Sequence, residues 1–392
     1  MSLWKHPVES RANNECHIGM GEPSLLERVA METVGRCGED FEVDRIISIA
    51  FKKPLSTTED TDEFGAPVDP AKRVAEHALI YAMYERERNA PAMFQGQRTL
   101  DILTDRVKSN FGGTQRMALV VLDQLDDGRL TAARVLPFLK HPDVSVSRTA
   151  AWVIGHHPEW GPDLVEHFRE ALAAVEPGAG SEAERERLTE QLARLAQSEA
   201  IQQLLAETAG SGAETAQVVA LRAMQQSGLA ATPSVWLDRV SAMLPQASEP
   251  GQLAAVDAIA QWRMPKEGHA ELKAALVTVA GNKDSADTLR LKALQVASPL
   301  DAVDIALLQT LVTWTQADPE LGLRREAVQV LGLAKLQPAQ QASLLPLLGE
   351  LGPLELPLLL PAFRDGEVAL GSQLVERLAD APGVKGIRVD QL

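Results

Sequence analysis

The amino-acid sequence predicts an all-α protein, a right-handed α-solenoid of about eight to ten helix pairs. Three observations lead to this prediction. A helical phrase recurs along the chain, strand-like alternation of β-branched and aromatic residues is almost absent, and helix-start signals stand at intervals. Aromatic residues make up only 4% of the 392 residues, so helix is expected nearly throughout.

The recurring phrase contains an alanine followed by an apolar residue four positions later, often with an arginine just ahead. Residues four apart share one helical face, so each pair forms a seam where another helix approaches closely. Successive alanines are 32 to 45 residues apart, except for one step of 70, which is two units of 35. Units of this length with two helices each are typical of α-solenoids, and a single irregular helical bundle is the alternative. The seam alanines are Ala30, Ala75, Ala118, Ala150, Ala220, Ala255, Ala293 and Ala327.

Predicted loops and helix starts separate the repeats, but none of them marks a domain boundary. Residues 54–70 hold five carboxylates, three prolines and no basic residue, which predicts an exposed acidic loop between the first two repeats. Shorter linkers are expected near 110–113 and 176–181. Capping boxes at Ser24–Glu27 and Ser181–Glu184 mark helix starts, and the stretch after Ser181 supplies the unit that lacks a clear alanine. We therefore expect one solenoid over residues 1–392.

Charge and hydropathy exclude two classes of partner. With 38 basic and 54 acidic residues, the net charge of −16 repels phosphate backbones, so no nucleic-acid binding is expected. The longest apolar stretch, residues 344–363, carries Glu350, Glu355 and four prolines, which predicts two short core helices and no membrane span. Cys16 and Cys37 do not form a disulfide framework and do not indicate a compartment.

The sequence contains no phosphate-binding loop, nucleophile elbow, H-E-x-x-H or C-x-x-C motif, and no catalytic or cofactor-binding residue is predicted. The candidates for metal binding are His156, His157 and His167. Adjacent histidines point about 100° apart on a helix, and Pro158 marks a helix end, so one ion would use only some of them. The alternative is structural: the histidines cap helix carbonyls while Trp160 packs under the turn.

A row of arginines recurs at almost the same helical phase. Arginines at this position either pair with carboxylates of adjacent repeats, in a ladder, or form a row that binds a ligand. The row comprises Arg28, Arg73, Arg116, Arg148, Arg290 and Arg324.

Two segments resemble HEAT repeats, whose pattern is Asp, an aliphatic residue followed by Arg, Ala three positions on, and Leu four beyond. The first has Asp318, Leu323-Arg324, Ala327 and Leu331. The second has Asp143, Val146, Ala150 and Ile154, with Ser147 in place of the arginine. This resemblance implies an armadillo-like superhelix and says little about function.

A narrower resemblance covers most of the chain. The order of five longer strings is similar to the HEAT region of the large planctomycete-type haem-binding, membrane-bound-dehydrogenase-like proteins. In that family a helical spacer joins a propeller to a cytochrome c domain with C-x-x-C-H, which implies an exported protein. None of the family's redox residues has a counterpart here, because Cys16-His17 is preceded by Asn13 where the motif needs cysteine. The strings are Glu76–Glu85, Arg116–Asp143, Arg148–Leu172, Leu188–Glu207 and Leu351–Phe363.

The sequence therefore favours a non-enzymatic scaffold that mediates protein–protein interaction. The alternative is the spacer part of a split or truncated periplasmic dehydrogenase system, with a separately encoded cytochrome c or propeller subunit as partner. A third hypothesis, an enzyme on HEAT-like helices, needs a basic groove or a convergent polar pocket. The sequence of this chain by itself indicates a cytoplasmic protein, whereas the family it resembles is periplasmic. The localisation therefore stays open.

The C-terminal end is expected to expose apolar surface. The segment 383–392 follows the apolar helix around Leu374–Leu378 and supplies little cover for it. We therefore predict an apolar patch there, suited to docking a partner or to self-association with a second copy.

Overall fold

The computed structural model describes residues 70–89, 112–125, 129–175, 182–316, 322–364, 366 and 368–387. Its regular secondary structure over these ranges is entirely helical, without strand, which confirms the all-α prediction. The chain forms two compact units, Met1–Asp163 and Leu164–Leu392. The predicted acidic loop, apart from Pro70, and both predicted capping serines lie outside the described residues.

The first unit contains four described helices: α1 (Pro70–Asn89), α2 (Gly112–Leu125), α3 (Ala132–Val135) and α4 (Val144–His156). Helix α2 packs against both α1 and α4. It begins at Gly112, within the segment where the sequence predicts a linker. The start of α4 is fixed by Asp143, whose carboxylate accepts a hydrogen bond from the Ser145 backbone N–H at 2.9 Å.

The core of this unit lies between α1 and α2. Apolar side chains of the two helices interleave there, and Trp152 of α4 packs against them. The buried members are Leu79, Ile80, Met83, Met117, Val120 and Val121.

Helix α5 (Gly161–Ala173) contains the boundary between the units, and twelve further helices follow it. They are α6 (Glu182–Arg194), α7 (Glu199–Ser211), α8 (Glu214–Gln226), α9 (Ser234–Met243), α10 (Glu249–Gln261), α11 (Ala270–Gly281), α12 (Asp287–Ala297), α13 (Ile305–Thr315), α14 (Leu323–Leu333), α15 (Pro338–Leu344), α16 (Leu356–Leu359) and α17 (Val368–Ala379).

Helices of the second unit pack in two rows. In the first row, α6, α8, α10, α12, α14 and α16 each contact the next member. In the second row, α7 contacts α9 and α9 contacts α11, while α7–α8, α11–α12 and α13–α14 join the rows. Each helix is thus packed mainly against its sequence neighbours and its neighbours in the row.

Six of the predicted seam alanines lie in described helices, and their contact with a facing helix stays a prediction. Ala118, Ala150, Ala220, Ala255, Ala293 and Ala327 are fully buried. The residues four positions later, from Leu122 to Leu331, are buried as well. Ala30 and the side chain of Ala75 lie outside the described residues. Small side chains at these points would let neighbouring helix backbones approach, as the sequence pattern predicts.

Residues 344–363, where the sequence predicts two short core helices, form three short helical turns. After α15, two 3₁₀ helices, Leu345–Gly349 and Leu360–Phe363, flank the single turn of α16. The prolines near the start of each turn interrupt the backbone hydrogen-bond ladder, which keeps each piece short. Most leucines of this segment are buried. No helix among the described residues is long and apolar enough to cross a bilayer.

Candidate functional site

Two of the three histidines predicted as metal candidates, His156 and His157, lie at a helix end in the first unit. His156 is the last residue of α4, and Pro158 starts the 3₁₀ turn Pro158–Trp160 directly after it. Proline cannot donate a backbone hydrogen bond and therefore ends the helix here. The turn brings the His157 ring onto Trp160, with ring centroids 3.9 Å apart and planes 6° from parallel.

Both histidines bond to one carboxylate on α2, that of Asp123. His156 Nδ1 lies 3.0 Å from Asp123 Oδ2, and His157 Nε2 lies 3.0 Å from Asp123 Oδ1. The other His157 nitrogen, Nδ1, lies 2.6 Å from Glu159 Oε1. The Asp123 side chain is only 7% exposed, so its two histidine contacts satisfy a nearly buried carboxylate. We call Asp123, His156, His157 and Glu159 the histidine corner.

This geometry favours a structural role for the corner. Both nitrogens of His157 already face carboxylates, so an ion would have to displace one of these contacts, and of the two rings only His156 Nε2 faces no carboxylate. His167 lies on α5 in the other unit, with its ring 5.3 Å from that of Phe168. Among the described residues, no three His, Cys, Asp or Glu side chains are arranged to hold a metal. The rings bond to Asp123, whereas the sequence suggested helix carbonyls as partners.

Ion pairs link neighbouring helices in both units. Arg116 of α2 pairs with Glu76 of α1, and both side chains are buried. Arg324 Nε of α14 lies 2.9 Å from Glu355 Oε1, just ahead of α16. These two arginines contact carboxylates of an adjacent element, as the ladder interpretation expects.

Arg290 of α12 behaves differently. It pairs with Asp287 of its own helix, donates to the Ala280 carbonyl at 2.9 Å, and stands 5.0 Å from the centre of the Trp314 ring. The Arg290 guanidinium therefore stabilises the contacts of α12 with α11 and α13.

A second candidate site lies in the second unit, at the ends of three neighbouring helices. α6, α8 and α10 each have 13 residues and end at Arg194, Gln226 and Gln261. Because these helices pack side by side, their last residues follow one another along the same edge of the row. We call this surface the helix-end groove.

Two cavities make up the groove, and they share Gln226 and Ser227. One has a volume of about 240 Å³ and the other about 190 Å³. The larger also involves Glu190, Ala193, Arg194 and Gln197. The smaller is lined by Met224, Gln225, Gly228, Leu229, Thr232, Trp236, Gln261, Trp262 and Arg263. The two cavities are therefore adjacent, with Gln226 and Ser227 lining both.

Two tryptophans and two loops joined by hydrogen bonds line the smaller cavity. Trp236 donates its indole N–H to the Gln202 carbonyl at 2.9 Å, and its ring lies 6.0 Å from that of Trp262. Thr232 donates from its backbone N–H and its hydroxyl to the Arg263 carbonyl, at 3.3 and 3.1 Å. Gly228, at φ +61°, turns the chain out of α8 in a conformation that suits glycine.

The groove contains one buried indole N–H and two exposed side-chain amides. The Trp262 Nε1 atom is buried without a partner among the described residues. No described residue bonds to the side-chain amides of Gln226 and Gln261 either. Sequence reasoning missed this site, although Gln226 and Gln261 are separated by the same 35 residues as the seam alanines Ala220 and Ala255.

Comparison with known proteins gives no relative for this arrangement: no family model, no curated protein and no solved structure matches the chain. The HEAT and dehydrogenase resemblances therefore rest on the residues quoted above and stay predictions.

Proposed function

We propose that the chain is a non-enzymatic HEAT-type scaffold that binds another protein. The observation that carries the proposal is the row α6, α8, α10, α12, α14 and α16, in which each helix packs on the next through a buried seam. An array of helix pairs that contact mainly their neighbours is the construction of a solenoid. Such arrays present long continuous surfaces, and binding proteins is their common use.

The polar features of the chain support binding more than catalysis. The histidine corner uses three of its four ring nitrogens on carboxylates, and the two inter-helix arginines described above are occupied by carboxylates. The helix-end groove, in contrast, exposes the side-chain amides of Gln226 and Gln261, which bond to no described residue. A surface of unused donors beside an aromatic ring suits recognition of another chain.

Exposed apolar side chains near the C-terminal end offer a second surface. Val368 and Val375 lie seven residues apart on one face of α17 and are 91% and 67% exposed. Leu354, in the turn before α16, is 79% exposed. Single exposed apolar side chains are ordinary, but two valines on one helix face form the start of an apolar surface, which supports an interaction there.

The test is an affinity-capture experiment with the full chain immobilised. The proteins it retains are compared with those retained by an unrelated all-helical protein of similar charge. We expect a specific protein to be retained and identified by mass spectrometry, and to bind again when purified. Retention of a cytochrome c or a propeller protein would favour the spacer alternative. Failure to retain any protein above the comparison protein, under several salt concentrations, contradicts the proposal.

A further inference from the structure

We propose that α17 pairs with the same helix of a second copy of the chain, antiparallel and about a two-fold axis. The proposal goes beyond the scaffold function and does not depend on which protein the scaffold binds. Three observations carry it: the exposure of one apolar face of α17, the order of large and small side chains along that face, and the charge at its carboxyl end.

Helix α17 has two apolar faces, and the part of the chain that the structure describes covers only one of them. The inward face carries Leu370 and Leu378, which are buried, and the helix packs against the 3₁₀ helix Leu345–Gly349. The other face carries Val368 and Val375, which are largely exposed. A surface helix normally presents polar side chains away from its buried face, so a second apolar face indicates a second packing partner.

The exposed face, which we call the α17 stripe, alternates large and small side chains. Val368, Ser372, Val375 and Ala379 are the first, fifth, eighth and last residues of the helix, and all four are exposed. Their spacing of four, three and four residues keeps them on one side of the helix. Gly371 borders the stripe, and nothing lies within 4 Å of the position that a β-carbon would take there. The stripe therefore has room for another helix to approach.

The order of the stripe is complementary to itself when it is reversed. In an antiparallel pair with the two-fold axis at the middle of the helix, the first residue faces the last and the fifth faces the eighth. Val368 then faces Ala379 of the second copy, and Ser372 faces Val375 of the second copy. Each exposed valine is placed against a small side chain, the alternation that lets facing helices interdigitate. A parallel two-fold pair would instead place valine against valine and serine against serine.

The antiparallel arrangement is also complementary in charge. It places the carboxyl end of each α17 beside the amino end of the other, so the two helix dipoles attract. Asp380 is exposed and directly follows the helix, so its carboxylate lies near the partial positive charge at the amino end of the other copy. The net charge of −16 opposes association of two chains, and physiological salt screens this repulsion beyond about 8 Å.

The contact is small, so the pairing is weak. The stripe supplies far fewer side chains than the roughly 20–30 residues per side of a stable interface. A two-fold contact uses the same surface on both copies and therefore closes at the dimer. We expect a reversible dimer with a dissociation constant between micromolar and millimolar, and no larger species.

The experiment measures sedimentation equilibrium of the full chain from micromolar to millimolar concentration at physiological salt. Two single variants, Ser372→Lys and Val375→Glu, test the pairing. In either variant alone the two-fold axis brings two like charges together, so dimerisation should weaken at least ten-fold. In an equimolar mixture the ammonium of one variant faces the carboxylate of the other. The mixture should therefore dimerise within about three-fold of the wild-type strength.

Gln373→Lys is the matched control. It adds the same charge to an exposed position of the same helix, but this position lies about 140° from Val368 around the helix axis. It should change the dissociation constant by less than about two-fold. All of these positions are exposed, so the circular dichroism melting curves of the variants should match that of the wild type.

Three results overturn the proposal. A chain that stays monomeric at millimolar concentration shows that the stripe does not pair, and a dimer that neither variant weakens shows that another surface pairs. A mixture that associates no better than the single variants shows that the helices do not meet in the antiparallel register. Failure of the scaffold proposal is a separate outcome: a chain that dimerises as described but retains no other protein refutes the scaffold and leaves the pairing standing.

Discussion

Gly332 on α14 lies against the main-chain carbonyl of Leu358 on α16, and the space between them does not admit a methyl group. A β-carbon at position 332 would overlap the Leu358 oxygen, which belongs to the backbone and cannot swing aside. The contact sets how closely the last two helices of the first row approach.

Gly332→Ala should therefore destabilise the second unit by about 1–3 kcal/mol, the usual cost of overpacking. Urea unfolding followed by circular dichroism measures the change. Gly371→Ala on α17 is the control, because a β-carbon there meets nothing within 4 Å. Alanine at that helical position should be neutral or stabilising by up to about 1 kcal/mol. Equal effects of the two substitutions would contradict the close approach.

The seam predicts a strong difference between two alanines of one helix. Ala255 of α10 is fully buried, whereas Ala260 is exposed. Ala255→Leu should lower the free energy of unfolding by about 1–3 kcal/mol, since the added carbons separate α10 from its neighbours in the row. Ala260→Leu should change it by less than about 0.5 kcal/mol. Denaturant titrations of both variants test this. An Ala255→Leu effect as small as that of Ala260→Leu would contradict the close helix contact at Ala255.

The histidine corner should stabilise the first unit unequally through its two histidines. His157 bonds to two carboxylates, stacks on Trp160 and is 16% exposed at its side chain, against 45% for His156. We expect His157→Ala to cost about 1–3 kcal/mol and His156→Ala less than about 1 kcal/mol. Asp123→Asn should resemble His157→Ala, because the nearly buried carboxylate serves both rings.

Tryptophan fluorescence reports on this corner, because Trp152 and Trp160 contact the two histidine rings. Unfolding curves followed by tryptophan fluorescence give the changes in the free energy of unfolding for His157→Ala, His156→Ala and Asp123→Asn. If His156→Ala proves the more destabilising histidine variant, the corner is organised differently from the structure.

Asp301 should titrate at unusually low pH. The ammonium groups of Lys273 and Lys335 donate hydrogen bonds to its two oxygens, and they lower its pKa from 3.8 to about 2. The folded-state pKa is below the unfolded one, so the stabilisation is present above about pH 4 and is lost as pH falls toward 2. Because Asp301 is exposed, salt should weaken the effect.

Carbon-detected NMR of the side-chain carboxyl measures this titration directly. Lys273→Met and Lys335→Met should each raise the Asp301 pKa toward its usual value, with the larger rise for Lys273→Met. Asp304, which accepts from the Leu307 backbone N–H and has no lysine contact among the described residues, is the reference carboxyl in the same spectra. An Asp301 pKa that both variants leave unchanged would contradict the paired-lysine geometry.

The C-terminal apolar surface should bind a hydrophobic dye. Val368→Ser combined with Val375→Ser should reduce the fluorescence of bound dye and leave the free energy of unfolding within about 0.5 kcal/mol, since both side chains face solvent. Val328→Ser, at a fully buried position of α14, is the contrast and should be strongly destabilising. Unchanged dye binding in the double variant would indicate that these valines are covered in solution.

The sequence predicted features that depend on spacing within a helix and missed those that depend on tertiary contacts. Ala220, Ala255 and Ala327 could be located because an apolar residue four positions on marks one face of a helix. Asp123 could not be assigned to His156 and His157, because 33 residues separate it from the first of them and only the packing of α2 on α4 brings them together.

The helix-end groove was missed for a related reason. Gln226 and Gln261 are ordinary solvent-facing residues in the sequence, and their alignment depends on where α8 and α10 end. Helix ends are the least certain feature of a sequence-based prediction. In residues 344–363 the four prolines predicted short core helices, but the sequence did not predict where each piece begins and ends.

The packing of the first row in the second unit also determines how it comes apart. Because each helix there touches mainly its immediate neighbours, we expect melting to begin at one end of the row and to advance helix by helix, with amide exchange fastest in the terminal helices.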